Sequence, residues 1–165
     1  FRRVLFRSDI SLLYICIFVP FQVKSILQWK KPQTASETDG PKPAFLNMCP
    51  MLLSLLVFLL IVVVDWLLVT YAFNHDALFD GWLLKLLGAL MIAASIHANF
   101  WLIYRKNDAW LYWVLYSLAG MLFYIVVGNA FSIVLFLVFL IINSTAGIAW
   151  VRNTPSENYG WLRGE

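Results

Sequence analysis

Residues 107–150, NDAWLYWVLYSLAGMLFYIVVGNAFSIVLFLVFLIINSTAGIAW, decide the fold. They read as two membrane-spanning helices joined by a tight turn at Gly128 and Asn129. In the first of these helices Trp110 and Trp113 share a face, and the stripe continues through Ser117, Gly120 and Tyr124. That is the three- and four-residue spacing that stacks side chains along one side of a helix. One side is therefore aromatic, small and hydroxylated, while the other is Leu and Val. A lipid-facing stripe has no need of the Ser and the Gly.

Composition agrees with a chain built for lipid. Of the 165 residues, 62% are hydrophobic and 13% charged, and the mean hydropathy is +0.78. A soluble domain is nearer half apolar and a quarter charged. The net charge of +3 is small, and the basic residues sit at the ends of apolar runs, so no nucleic-acid footprint exists. Cys16 and Cys49 lie in or beside apolar segments, which supports neither a disulfide framework nor a metal site. Phe1 to Ser8, FRRVLFRS, is the translation of TTC AGA CGT GTG CTC TTC CGA TCT, which resembles a sequencing-library adapter. It is set aside as a scar, with the expectation that the native sequence starts near Asp9 and is truncated at its N-terminus.

A spanning helix needs about 20 mostly apolar residues, because the hydrocarbon core is about 30 Å thick. Five segments qualify or nearly do: Ile10 to Trp29, Met48 to Phe73, Gly81 to Tyr104, Ala109 to Val127 and Ala130 to Val151. The expected class is an all-α polytopic membrane protein, since backbone in lipid must satisfy its own hydrogen bonds. Lys30, Lys31 and Lys42 follow the first segment, Arg105 and Lys106 the third, and Arg152 and Arg163 lie in the tail. The alternate connections, Asn74 to Asp80 and Gly128 with Asn129, carry neither Lys nor Arg. The positive-inside rule therefore predicts a cytoplasmic C-terminus. The polar stretch Lys30 to Pro43, KKPQTASETDGPKP, reads as a flexible linker, and the residues beyond Asn153 read as a short polar tail with Trp161 at the interface.

The Trp110 and Trp113 pair, Asp108 just before it, and the closing helix with Gly147, Trp150 and Arg152 resemble the PnuC family of bacterial vitamin transporters, whose best-known members carry nicotinamide riboside. The resemblance is good from Ser95 to Arg152 and loose elsewhere. It implies a SWEET-like fold of two parallel triple-helix repeats around a linking helix. Residues 9–29 would then be the last helix of the first triple, 30–46 a cytoplasmic linker, 47–73 the linking transmembrane helix, 81–152 the second triple and 153–165 a cytoplasmic tail. Two helices of the first triple, and any helix before them, would precede this sequence. A weak internal match fits: aligning Trp29 with Trp150 also aligns Lys31 with Arg152, Gln22 with Asn143 and Phe18 with Phe139.

Polar residues inside a membrane are expensive, so they are the first candidates for function. In the third segment Gly88, Ser95 and Asn99 fall close to one face. Asn99 stands where the family usually carries Gln, and Ser95 also fits the family pattern; both can instead be interhelical glue. Trp110 and Trp113 can stack a flat or cationic heteroaromatic ring, or form an aromatic belt beside Arg105 and Lys106. Ser117 occupies a position more often Asn or Asp in the family, a departure that bears on the substrate. Asn143 shares a face with Gly147 and can bond a carboxamide or a ribose hydroxyl, or serve packing, as Gln22 can. Tyr124 and Asn129 lie nearer the outer mouth. Asp65 is the only acid deep in a helix, a proton site or one half of a helix contact. Lys24 and Lys85 can snorkel towards helix ends. His97 sits about 200° round the helix from Asn99 and reads as a packing histidine.

The expected substrate-binding set is Trp110, Trp113, Asn99, Ser95, Ser117, Asn143 and Tyr124. No H-E-x-x-H, G-x-S-x-G or phosphate-binding G-x-x-x-x-G-K pattern occurs, so neither an enzyme, a metal nor a cofactor is expected. The resemblance implies a facilitator in the bacterial inner membrane, whose nucleoside-like vitamin is trapped by cytoplasmic phosphorylation, and which associates as a homotrimer in the lipid bilayer. Thiamine, riboflavin or a deoxynucleoside are alternative substrates. The rival expectation is a non-transporting membrane scaffold subunit in which the Trp and Asn residues serve packing alone.

Overall fold

The computed structural model describes residues 19–20, 23–24, 27, 44–72, 81–155, 158–159 and 162. Among them lie four helices: α1 (Met48–Ala72), α2 (Trp82–Ile103), α3 (Asp108–Val127) and α4 (Ala130–Arg152). Each follows its expected segment to within one or two residues. With 25, 22, 20 and 23 residues, they are about 30–38 Å long at the standard rise, and all four are apolar enough to cross a membrane. No strand occurs among the described residues. The fifth expected helix, Ile10 to Trp29, lies outside the described residues apart from Val19, Pro20, Val23, Lys24 and Leu27, which are helical. Cys16, Phe18, Gln22, the stretch Lys30 to Pro43, the loop Asn74 to Asp80 and Trp161 also lie outside them.

The helices pack in chain order, α1 on α2, α2 on α3 and α3 on α4. The reason for α2's central place is its small residues. Ala89, Ala93, Ala94 and Ala98 are fully buried, and Gly88 and Ser95 join them, so neighbouring backbones can approach on both sides, as association in lipid requires. Phe58 and Val62 of α1 and Tyr112 of α3 close over these alanines. A second cluster, Leu87 with Ala119 and Phe123, continues the α2–α3 contact towards the Gly128 end. By contrast only Phe136 of α4 is buried, and Phe131, Val134, Ile141 and Ile142 are exposed.

The Gly128–Asn129 turn forms as expected. Gly128 takes a left-handed φ of 76°, Gly128 N donates to Ile125 O at 3.2 Å, and Asn129 N donates to Tyr124 O at 3.0 Å. This is the Schellman ending, which favours Gly at the left-handed position. Asn129 then caps α4, its side chain accepting from Ser132 N at 3.2 Å.

At the opposite end the segment before α1 is stitched into the bundle. Ala44 O accepts from Asn107 N at 2.9 Å, and Phe45 N donates to Asn158 O at 2.9 Å. Leu46 N donates to Asp108 Oδ2 at 2.8 Å, and the Phe45 and Tyr159 rings stack at 5.9 Å. Three chain segments far apart in sequence therefore meet at the start of α3.

Candidate functional site

The stripe on α3 meets a matching stripe on α4. Large groups on one helix sit over glycines on the other: Trp110 lies over Gly147, where an added Cβ would fall 3.0 Å from Trp110 Cβ, and the Phe136 ring fills the space over Gly120. Trp110 also meets Trp150 edge-on, with centroids 5.5 Å apart, and Tyr124 lies against Phe136 at 5.4 Å. Between the two glycine contacts sits a polar rung. Asn143 Nδ2 donates to Ser117 Oγ at 2.9 Å and to Trp113 O at 3.4 Å. Ser117 Oγ in turn donates to Trp113 O at 2.9 Å. Ser117 is fully buried, so this rung satisfies groups that would otherwise be costly in lipid.

The two indoles part company in three dimensions. Trp110 leans onto α4, whereas Trp113 packs against the cluster of α1, α2 and α3 side chains and meets Tyr116 edge-on at 5.6 Å. Positions three apart are offset by about 60° around a helix, enough for each ring to choose a different neighbour. The expectation of a shared face thus holds for the register and not for the rings.

Ser95 and Asn99 lie on α2 and are both buried. Ser95 Oγ donates to Ile92 O at 2.8 Å and Asn99 Nδ2 to Ser95 O at 2.8 Å, so each has a bond to the preceding turn of its own helix. Of the seven expected residues, Trp110, Ser117 and Asn143 share one seam, to which Trp113 contributes only its backbone carbonyl; Tyr124 extends the seam towards Gly128, and Ser95 and Asn99 form a pair on α2.

A cleft of about 360 Å³ opens elsewhere, between α1 and α2, with Leu53, Ser54, Val57, His97, Phe100 and Trp101 among its lining residues. None of the seven expected residues lines it. Its polar groups engage one another. Trp101 Nε1 donates to Ser54 Oγ at 2.8 Å, Ser54 Oγ and Tyr112 OH share a bond of 3.1 Å, and His97 Nδ1 lies 3.3 Å from Ala93 O. His97 packs edge-on to Phe58 at 5.3 Å. The walls left over are apolar and suit a hydrocarbon neighbour better than a polar ligand. Sequence reading passed over Ser54, whose only signal was a hydroxyl in an otherwise apolar helix.

Asp108 was legible as part of a motif, yet its work is structural. It is fully buried, and its Oδ2 holds the Leu46 amide, tying the start of α3 to the segment that leads into α1. Its neighbour Asn107 donates through Nδ2 to Thr154 Oγ1 at 2.6 Å, tying the same point to the chain after α4. Four buried polar atoms have no hydrogen-bond partner among the described residues: Asp65 Oδ2, Thr70 Oγ1, Asn107 Oδ1 and Trp110 Nε1. Lys24 Nζ donates to Tyr104 OH at 3.3 Å and lies 5.5 Å from that ring's centre, the cation-over-aromatic contact of a snorkelling lysine.

Comparison with known proteins bears on this arrangement. No curated protein and no solved structure matches the chain. A protein-family model described as nicotinamide mononucleotide transporter matches residues 9–152, most of the chain and all four described helices. With four apolar helices of spanning length and Trp110 in contact with Gly147 and Trp150 where α3 meets α4, the chain belongs to the nicotinamide mononucleotide transporter (PnuC) family, a family of membrane transporters and not of enzymes.

Proposed function

We propose that this chain serves a bacterial inner-membrane facilitator for nicotinamide riboside or a similar nucleoside-like vitamin. The observation that carries the reading is the seam between α3 and α4, where two indoles, Trp110 and Trp150, meet about two helical turns from the Ser117–Asn143 pair. An aromatic face beside an amide and a hydroxyl is what a flat heterocycle bearing a sugar needs: stacking for the ring, hydrogen bonds for the rest. Trp113, Ser95, Asn99 and Tyr124 complete the proposed set of contacts.

On this reading residues 81–152 are the second triple of a SWEET-like repeat, residues 47–73 the linking helix and residues 9–29 the end of the first triple, with the Arg152 end cytoplasmic. The lysines and arginines that flank alternate connections support that orientation. Substrate moves down its gradient as the triples rock about a midplane site and is trapped inside by phosphorylation. The assembly is a homotrimer.

The test uses the full-length protein from the native gene, titrated with nicotinamide riboside while intrinsic tryptophan fluorescence is followed. Saturable quenching is expected, and Trp110→Ala should abolish it while leaving abundance near wild type. The scaffold alternative predicts the opposite pattern, lowered abundance and no quenching in either protein. The seam's close packing favours that alternative, whereas the family match favours transport. Thiamine, riboflavin and a deoxynucleoside, titrated in parallel, decide the substrate class.

A further inference from the structure

The cleft between α1 and α2 takes no part in the α3–α4 seam. Its α1 wall is one stripe, Pro50, Leu53, Ser54, Val57 and Ile61, recurring at the three- and four-residue spacing of a single helix side. From Pro50 to Ile61 the wall runs about 16 Å along the helix, which is the depth of one leaflet when the hydrocarbon core is about 30 Å thick. Leu53, Val57 and Phe100 are exposed, so the cleft is open sideways. The side chains of Ser54, His97 and Trp101 bond within the protein, and an occupant meets apolar wall. A cation stands at one end of this trough. Phe100 and Trp101 line the cleft near the C-terminal end of α2, and the Tyr104 ring lies 5.2 Å from the first and 6.5 Å from the second. Lys24 Nζ in turn lies 5.5 Å from the centre of the Tyr104 ring and donates to its hydroxyl at 3.3 Å. One ring therefore separates the cleft wall from the ammonium, which has three N–H groups to offer and gives one of them to Tyr104. Lys24 and Tyr104 are both exposed, and Arg105 and Lys106 follow directly in the chain.

We propose that this cleft binds an anionic phospholipid from the leaflet that the Arg105 end faces, with an acyl chain along the Pro50–Ile61 stripe and the phosphate at Lys24. The two parts of the lipid match the two parts of the site. The chain covers apolar wall over the depth of its own leaflet, and the phosphate accepts charge-assisted hydrogen bonds from the ammonium. Basic residues beside spanning helices attract anionic headgroups in this way. A zwitterionic lipid brings the same chain, but its headgroup carries a cation of its own towards Lys24. A further apolar helix would cover the stripe as well, yet it would bring no anion to the mouth. The lipid is bound whichever solute the protein carries.

The test is native mass spectrometry of the detergent-solubilised full-length protein, titrated in parallel with dioleoyl phosphatidylglycerol and dioleoyl phosphatidylcholine, for wild type, Lys24→Gln and Val57→Trp. The wild type should retain one phosphatidylglycerol with about fivefold higher affinity than phosphatidylcholine, the effect of one cation near the membrane surface. Lys24→Gln should bring the two lipids level while chain binding persists. Val57→Trp fills the middle of the cleft from an exposed position and should weaken both lipids about tenfold, the worth of two displaced methylenes. Lys24→Gln alters only an exposed side chain, and it decides the matter should Val57→Trp fail to fold. A wild type that retains the two lipids alike, or a preference unchanged in Lys24→Gln, overturns the assignment of the headgroup. Binding unchanged in a folded Val57→Trp overturns the assignment of the chain. A wild type that retains neither lipid overturns the whole proposal and points to a helix over the cleft.

Discussion

Gly120 offers the sharpest test of the seam. In an isolated helix Gly→Ala stabilises by about 1 kcal/mol, because alanine gives up less backbone freedom. Here the added Cβ would overlap the Phe136 ring. That ring is not free to retreat: it touches the rings of Tyr116 at 5.5 Å, Tyr124 at 5.4 Å and Phe139 at 5.9 Å, and it is the one buried residue of α4. Overpacking of such a site costs about 1–3 kcal/mol, and the confinement of Phe136 places this case in the upper half. The overlap therefore wins over the propensity gain, for a net loss of about 1–2 kcal/mol. In a protein of this size that lowers the melting temperature by about 2–8 °C, measurable by tryptophan fluorescence of the detergent-solubilised full-length protein. Phe136→Leu should remove the obstacle, so that Gly120→Ala in that background becomes neutral or stabilising. A Gly120→Ala protein as stable as wild type, or a loss that persists unchanged beside Phe136→Leu, would refute the close α3–α4 contact.

Three further substitutions probe the rest of the bundle. Asp108→Ala strands the Leu46 amide, whose partner is a fully buried carboxylate, and should cost about 1–3 kcal/mol; faster hydrogen exchange at Leu46 and faster proteolysis near Ala44 would report it. Ser54→Ala takes the acceptor from Trp101 Nε1 and the partner from Tyr112 OH, with an expected loss of about 1–2 kcal/mol and a shift in Trp101 fluorescence; Ser54→Thr, which keeps the hydroxyl, should restore most of it. Gly128→Ala forces a Cβ into a φ of 76° and should cost about 1 kcal/mol, while Gly128→Asn, which tolerates that region, should cost less; equal melting temperatures for the two would count against the Schellman turn.

The four described helices, their ends and the Gly128 turn were open to reading from the chain alone, because length against bilayer thickness and the demand of a left-handed position are local constraints. The stripe Trp110, Trp113, Ser117, Gly120 and Tyr124 was legible for the same reason, since helical periodicity sets which residues share a side. Its partners were not. A helix in lipid is apolar nearly all round, so periodicity does not say which side meets which neighbour, and α4 illustrates this with exposed Leu, Val and Ile around most of its surface. Only the packed structure pairs Gly120 with Phe136 and Gly147 with Trp110, and separates the two indoles onto different neighbours. The same holds for Asp108 and Asn107, whose bonds to Leu46 and Thr154 join segments 62 and 47 residues apart. Such contacts depend on how whole helices dock, which no local spacing encodes.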